Sequence, residues 1–332
     1  MNLVEVAKRA RVSTATVSRV LNNSDMVKSS TRTRVTKAIE ELKFYPNLHA
    51  RSLAGGKSRT IGVIVSNLDN PFFLDIYKAI EADVHTRGYE ILLADTGYRS
   101  QQLVASIHLM IGRRVAGLAA LVSEMEPALI DELEESRIPV VFYDVGTPKR
   151  NITNIRVNYR RGVERVVDYL HGMGHRRIGF IGHHSSLGPI SERLQAVQEA
   201  MAQYSLPLVA QSMAESDTFE GGRMAARAML NLGANPTAII CVNDVTAVGA
   251  LRELRERGIH VPQDISVTGF DNIKPSEFCY PALTTVHIPR EQIGHIVCQR
   301  LLPLPGQPEA AELEMVIDPE FVLRDSTGPA PA

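Results

Sequence analysis

Small and polar side chains grouped within one helical turn are what a base edge in a DNA groove requires, and residues 13–19 supply such a group. Thr14 and Ala15 are short enough for close approach, and a threonine or alanine methyl can meet a thymine methyl. Arg19 can reach a guanine edge or a phosphate. A second set of residues closes a series of apolar runs: Asn67, Asp69, Asn70 and Phe72 after 61–65, Asp144 after 138–143, Asn243-Asp244 after 238–242, and Asp271-Asn272 after 265–270. Carboxylates accept from hydroxyls, amides donate and accept, and a ring stacks on a sugar face, so this set suits a polyhydroxylated ligand. Asp and Asn at strand ends also cap helices, so only their convergence on one crevice would make a site.

The first group needs a helix to present it. Leu3, Val6, Ala7 and Ala10 recur at helical spacing behind Asn2, a suitable N-cap. After a turn at Arg11-Val12, Ser13 caps a second helix that turns Val17, Val20 and Leu21 inward and Thr14, Ala15, Thr16, Ser18 and Arg19 outward. Asn22-Asn23 end it, and Ser29 or Ser30 caps a third helix, Thr31 to Lys43, striped by Val35, Ala38, Ile39 and Leu42. Two short helices joined by a tight turn make a helix-turn-helix, whose second helix fits the major groove. Charge agrees. Residues 1–59 hold 12 Lys/Arg against four acids, a net of +8, whereas the remainder holds 24 against 33, a net of −9. Charge alone also fits a solvated basic terminus; with the motif it fits a head that meets a polyanion.

The run from Val6 to Asn22 (VAKRARVSTATVSRVLN) resembles the signature of the lactose-repressor (LacI/GalR) family, and Phe44 to Leu53 (FYPNLHARSL) resembles its hinge. Arg11 departs from the usual turn glycine, at a cost of about 1 kcal/mol if its φ is positive, unless its charge sits by a phosphate. The resemblance places Ser13, Thr14, Ala15, Thr16, Ser18, Arg19, Asn22, Asn47, Ala50, Arg51 and Leu53 at the DNA. It implies that the segment after Asn47 becomes helical on the operator, that paired segments cross at Ala50, and that Leu53 wedges into the minor groove. Asn47 as cap, Gly55-Gly56 as stop and a length too short to be helical alone fit that role. A plain flexible linker, with Leu53 packed on the body, is the other reading.

From Thr60 onward short apolar runs alternate with helical patterns: 61–65, 89–94, 117–121 and 138–144, then again at 177–182, 238–242 and 265–271. Such alternation implies parallel sheets with helices on both faces, and ligands then lie beyond the carboxyl ends of the strands. The expected architecture is a small all-α helix-turn-helix head (1–46), a hinge (47–59), and an α/β body (60–332) of two doubly wound lobes. The first lobe would take about 60–157 and 289–316, the second about 158–288 and 317–327. A two-lobed periplasmic-binding-protein-like body is what the family resemblance implies. The resemblance also assigns Asn70, Phe72, Asp144, Arg193, Asn243 and Asp271 to an effector pocket, Arg193 as the anchoring arginine. The pocket's aromatic position falls on Asp217 by strict spacing from Gly221-Gly222, or on Phe219 with a local shift.

Other functions find little support. There is no Walker loop, no G-x-S-x-G, no H-E-x-x-H and no dinucleotide fingerprint, so neither an enzyme nor a cofactor is expected. His183-His184 and His171-x3-His175 lack acidic or cysteine partners at ligand spacing and read as surface or loop histidines, so no metal is expected. A sugar-binding solute receptor would fit the body alone, but the basic head and the absence of a signal-like start argue against it. Three cysteines at no ligand spacing and no run of 18 apolar residues point to a cytoplasmic, nucleoid-associated protein with no membrane partner. The expectation is a DNA-binding regulator, a repressor on family grounds. It would be a homodimer, because the tail carries no heptad. It would act on a near-palindromic operator under a sugar-like effector, with a nucleobase as the second choice.

Overall fold

The computed structural model describes residues 2–21, 26–44, 58–123, 125–183, 188–302 and 313–331. Asn22, Asn47, Ala50, Arg51 and Leu53 lie outside them. The chain divides into two compact units, 1–58 and 59–332.

In the first unit, α1 (Leu3–Ala10) opens on a capping box. The Asn2 side chain accepts from the Glu5 N–H, and Glu5 reaches back to the Asn2 N–H at 2.9 Å. Arg11 closes the helix with φ 54°, so the left-handed turn that favours glycine is present and is made by an arginine. Helix α2 (Thr14–Leu21) begins at Ser13, whose Oγ accepts from the Thr16 N–H at 3.2 Å. Helix α3 (Ser29–Glu41) starts and ends earlier than expected, with Lys28 at the N-cap and no side-chain cap bond. Its serines lie in the first turn because the Lys28 carbonyl already accepts from Thr31 and Arg32. Val6, Ala7, Ala10, Val17, Val20, Val35 and Ala38 form the common core. An Arg9–Glu41 contact at 2.7 Å ties the first helix to the third.

The second unit holds two parallel sheets. One has the order β11 (Glu314–Ile317), β5 (Ile152–Val157), β4 (Val140–Tyr143), β3 (Gly117–Leu121), β1 (Thr60–Val65), β2 (Glu90–Asp95). The other runs β7 (Leu208–Ala214), β6 (Ile178–His183), β8 (Ala238–Cys241), β9 (Ser266–Thr268). A two-stranded antiparallel ribbon, β10 (Thr285–His287) with β12 (Glu320–Val322), accompanies them. The period of two assigns each strand residue to a helical layer. On β1, Ile61, Val63 and Val65 meet α4 (Pro71–Thr86) and α12 (Arg290–Leu301), while Ile64 packs with Met110 on α5 (Ser100–Gly112) and Leu133 on α6 (Pro127–Ser136). On β6, Phe180 belongs with Val167 of α7 (Tyr159–Gly172) and Val197 of α8 (Gly188–Gln203), and Ile181 packs with Met229 and Leu254. Each such fully buried aliphatic side chain contributes roughly 1.5–3 kcal/mol.

Five strands were not anticipated: β5, β7, β10, β11 and β12. Ile152–Val157 is interrupted by Thr153, Asn154 and Arg156, and Leu208–Ala214 sits at a sheet edge with a mixed burial pattern. Neither gives the continuous apolar run of a central parallel strand.

Two glycines fix the geometry that matters most for the site. A Cβ on Gly222 of α9 (Phe219–Asn231) would lie 2.3 Å from the Thr246 carbonyl oxygen. One on Gly249 of α10 (Asp244–Glu256) would lie 2.0 Å from that of Phe219. The two backbones therefore touch, and the starts of both helices, capped by Thr218 and Asn243, are held side by side.

Candidate effector cleft and DNA-facing helix

Beyond the carboxyl ends of both sheets lies a cleft whose walls are drawn from both lobes. The first lobe contributes Asn70, Phe72, Phe73, Tyr98, Val122, Ser123 and Tyr143. The second contributes Tyr159, His183, Pro189, Ile190, Arg193, Asp217, Asn243 and Asp271.

Asn70 and Asn243 each do two jobs. As N-caps they accept through Oδ1, Asn70 from the Phe72 N–H at 3.0 Å and Asn243 from the Thr246 N–H at 2.9 Å. Their amide nitrogens are thereby aimed into the cleft, where both donate to Asp217: Asn70 at 2.9 Å to Oδ2 and Asn243 at 2.7 Å to Oδ1. The Tyr98 hydroxyl donates to the same Oδ2 at 2.8 Å. Burial first, and then the Asp217 charge, push the Tyr98 hydroxyl well above its ordinary pKa, so it stays a donor. Asp217 is thus the residue at the uncertain position; Phe219 is 42% exposed and does not line the cleft.

Arg193, on α8, is only 8% exposed. Its guanidinium lies between the Tyr159 and Phe270 rings, 4.6 and 4.4 Å from their centroids, and donates to the Val242 carbonyl at 2.8 Å. Nη2 is 3.2 Å from Asp271 Oδ1, off the line of a hydrogen bond, and both Arg193 Nε and Asp271 Oδ1 lack a hydrogen-bond partner. Burial outweighs the pull of Arg193 and holds the Asp271 carboxyl at about 6. Asp271 has φ 106°, a left-handed conformation rare outside glycine. It is held there by Arg290, which donates to the carbonyls of Asp271 and Asn272 and meets Asp75 of α4 at 3.1 Å.

Asp144 is placed differently from expectation. It is not among the cleft-lining residues; its carboxylate accepts from the Val157 N–H at 2.8 Å and from the Tyr159 hydroxyl, and so orients Tyr159 from behind. Burial raises its pKa to about 6. Asp244 likewise faces inward, accepting from the Ile273 N–H at 2.8 Å, with burial pushing it to about 8. Asn67, Asp69 and Asn272 do not line the cleft. Asn70, Phe72, Arg193, Asn243 and Asp271 are brought together there.

Of the histidines expected at surface or loop positions, His175 does lie in a loop, but it and His183 are buried, and His184 is outside the described residues. His183 is buried on the cleft wall, and His175 is buried between Thr237 Oγ1 and the Gly328 carbonyl, each at 3.0 Å. Among the described residues no His, Cys, Asp and Glu cluster could hold a metal. Tyr98, Tyr143 and Tyr159 were not expected in the cleft, and His183 was expected at the surface or in a loop. Tyr98 and His183 sit at the ends of β2 and β6, where the strand-end rule would have found them. Tyr159 follows β5, a strand that had not been recognised.

On the head, Thr14, Ala15 and Arg19 are exposed along α2 together with Ser13, whereas Thr16 and Ser18 are half-buried. Such a row of short side chains ending in an arginine matches a recognition helix. No helix among the described residues is long and apolar enough to cross a membrane.

A helix-turn-helix unit and a two-lobed body with a buried polar cleft define a DNA-binding regulator that carries a ligand-binding domain. Residues 2–47 match the model of bacterial regulatory proteins of the lacI family, and residues 167–327 match a periplasmic binding protein-like domain. The chain is 35% identical over 328 residues to the HTH-type transcriptional repressor CytR of Escherichia coli (strain K12), covering 98% of this chain and 96% of the relative. Among solved structures it is similar to the lac repressor dimer bound to operator and the anti-inducer ONPF, at 29% identity, TM-score 0.87 and 99% coverage of both chains. It is also similar to the transcriptional regulator CelR in complex with cellobiose, at 27% identity and TM-score 0.70, covering 98% of this chain and 99% of that one. The chain belongs to the lacI family of bacterial transcriptional regulators, relatives that are repressors and not enzymes.

Proposed function

We propose that this protein is a homodimeric repressor that binds a near-palindromic operator in the cytoplasm and responds to a sugar or sugar derivative held between its lobes. The observation that carries the ligand reading is a pair of buried atoms on the cleft wall that lack a hydrogen-bond partner, Arg193 Nε and Asp271 Oδ1, the latter ion-paired with Arg193 Nη2. A buried donor and a buried acceptor without hydrogen bonds are costly, and hydroxyls, which both accept and donate, suit the two. The cellobiose bound by the CelR structure is of the same chemical class.

In this reading Thr14, Ala15 and Arg19 contact base edges, Ser13, Thr16, Ser18 and Asn22 flank them, and the segment with Asn47, Ala50, Arg51 and Leu53 inserts Leu53 into the minor groove. The dimer is supported by the lac repressor's dimeric assembly and by the exposed Phe278, Tyr280 and Leu323, whose segments join where the Asp325 N–H meets the Ala282 carbonyl. Effector and operator then share one coupling free energy, typically 1–3 kcal/mol.

The test is operator selection from a random library with the full-length protein, followed by anisotropy titrations over rising salt with and without D-ribose, D-glucose or cellobiose. The expected outcome is a palindromic consensus, an affinity falling steeply with salt, and a roughly 5–150-fold shift caused by at least one sugar. Enrichment of no consensus would overturn the DNA reading, and a consensus insensitive to every sugar would overturn the effector class.

A further inference from the structure

Asp217 is 7% exposed and stands on the second lobe at the start of α9, yet two of its three donors, Asn70 and Tyr98, belong to the first lobe. The carboxylate therefore joins the two lobes through hydrogen bonds to a charged acceptor, the stronger kind. With about four acceptor directions and three donors in place, one acceptor direction remains on a residue that lines the cleft.

The charge balance around it is uneven. The charged groups among the described lining residues are Arg193, Asp217 and Asp271, and Arg193 already faces Asp271. No lysine or second arginine among those residues offsets Asp217. Burial, together with Asp217, holds the Asp271 carboxyl up despite Arg193, so a negative field is already felt inside the cleft.

We propose that Asp217 sets the effector class at this cleft: by bridging the lobes through Asn70 and Tyr98 it accepts an uncharged, hydrogen-bond-donating ligand and excludes phosphate esters. The proposal rests on the hydroxylated-ligand reading above and sharpens it. A neutral hydroxyl can use the remaining acceptor direction or displace one of the first-lobe donors, whereas a phosphate brings like charge into a buried site with no free cation among the described lining residues. Asp217→Asn keeps the shape, removes the charge and turns an amide N–H₂ toward donors that need an acceptor, so it loosens the bridge and relaxes the exclusion together.

Two measurements on the full-length protein decide this. The first is the interlobe distance by pulsed electron resonance between labels at Ala82→Cys and Ala202→Cys, both exposed and on different lobes, in a Cys279→Ser background. Asp217→Asn and Asp217→Ala should each give a longer and broader distribution than the parent without added ligand; an unchanged distribution in both variants overturns the bridge. The second is calorimetric titration with D-ribose, D-glucose and adenosine, each beside its own phosphate ester. Wild type should bind a neutral member at least tenfold more tightly than its ester, and Asp217→Asn should shrink that ratio at least tenfold. An ester that binds wild type better than its parent, or a ratio unmoved in the variant, overturns the exclusion. If no neutral probe binds, the hydroxylated-ligand reading fails and the class assigned to Asp217 falls with it, while the distances still judge the bridge by themselves.

Discussion

Arg193 and Asp271 face each other at 3.2 Å in the wall of the cleft, yet each keeps one buried polar atom without a hydrogen-bond partner. Truncating one member leaves the other as an uncompensated buried charge, at a cost of about 3–5 kcal/mol. Arg193→Met and Asp271→Leu should each lower the urea midpoint strongly. The double variant should recover much of that loss while remaining blind to any sugar that shifts operator affinity in wild type. A double variant as unstable as the sum of the singles would show that the two side chains are not energetically coupled.

Asp144, Asp271 and Asp244 should each contribute stability that falls as pH rises from acid toward neutral. A carboxyl held above its unfolded value binds its proton more tightly in the folded state, so its stabilisation is complete below about pH 4 and is lost as pH climbs through its folded value. For Asp144 and Asp271 that value is about 6, and for Asp244 about 8. A two-unit shift corresponds to roughly 3 kcal/mol per group. Asp144→Asn should flatten the slope of unfolding free energy between pH 4 and 6 and be no less stable than wild type at pH 7. The amide can donate to the Tyr159 oxygen while Tyr159 turns its own proton toward Tyr143, 3.4 Å away. An undiminished slope in that variant would clear Asp144 of the effect.

Arg11→Gly separates a backbone effect from an electrostatic one. At φ 54° glycine is relieved of a strain of about 1 kcal/mol, so thermal unfolding of the head should rise by a few degrees. If Arg11 also meets a phosphate, operator affinity should drop and the salt dependence should weaken by about one unit of slope. A variant no more stable than wild type would deny the strain.

Arg19→Ala and Leu53→Ala should fail in different ways. Loss of a base-edge arginine costs about 1–3 kcal/mol of operator affinity and relaxes sequence preference at one position. Loss of the apolar wedge should reduce DNA bending while leaving base preference in the half-sites intact. Bending measured by circular permutation and preference measured by selection tell the two apart. Bending unchanged by Leu53→Ala would remove it from the minor groove.

Gly222→Ala should damage the body far more than an exposed helix substitution, because the new methyl meets the Thr246 carbonyl and forces α9 and α10 apart. Asp217 and Asn243 stand at the ends of those helices, so sugar binding should fall along with the melting temperature. A fully folded variant with wild-type sugar affinity would contradict this account of how the helix ends are positioned.

The head and the central strands were legible because their signals are local. Asn2 and Ser13 announce their helices through caps, and Gly117–Leu121 is apolar from end to end. The cleft was half legible. Asn70, Asn243 and Asp271 follow strands that could be read, so the strand-end rule reached them. Tyr159 did not emerge because β5 is interleaved with polar residues and drew no attention to its end. Asp144 was placed in the pocket by type and position, but its left-handed φ of 63° and its bonds to Val157 and Tyr159 turn it behind the wall. Asp217 could be located by counting, yet its partners on the other lobe are long-range contacts that no local pattern encodes. Arg290, which fixes the backbone of Asp271, gave no signal at all.

The pairing of β11 with β5, Glu314 beside Asn154, has a bearing on the order in which the protein is made. Domains form from the N-terminus during synthesis, each as its segments become available. The head needs only the first few dozen residues, and the second sheet is complete by Thr268, but the first sheet waits for its edge strand from near the end of the chain. A ribosome therefore releases the head well before the first sheet of the body can be completed. A chain broken off before Glu314 would keep the segments of its head while losing one wall of its first lobe and, with Leu323, part of the exposed apolar patch.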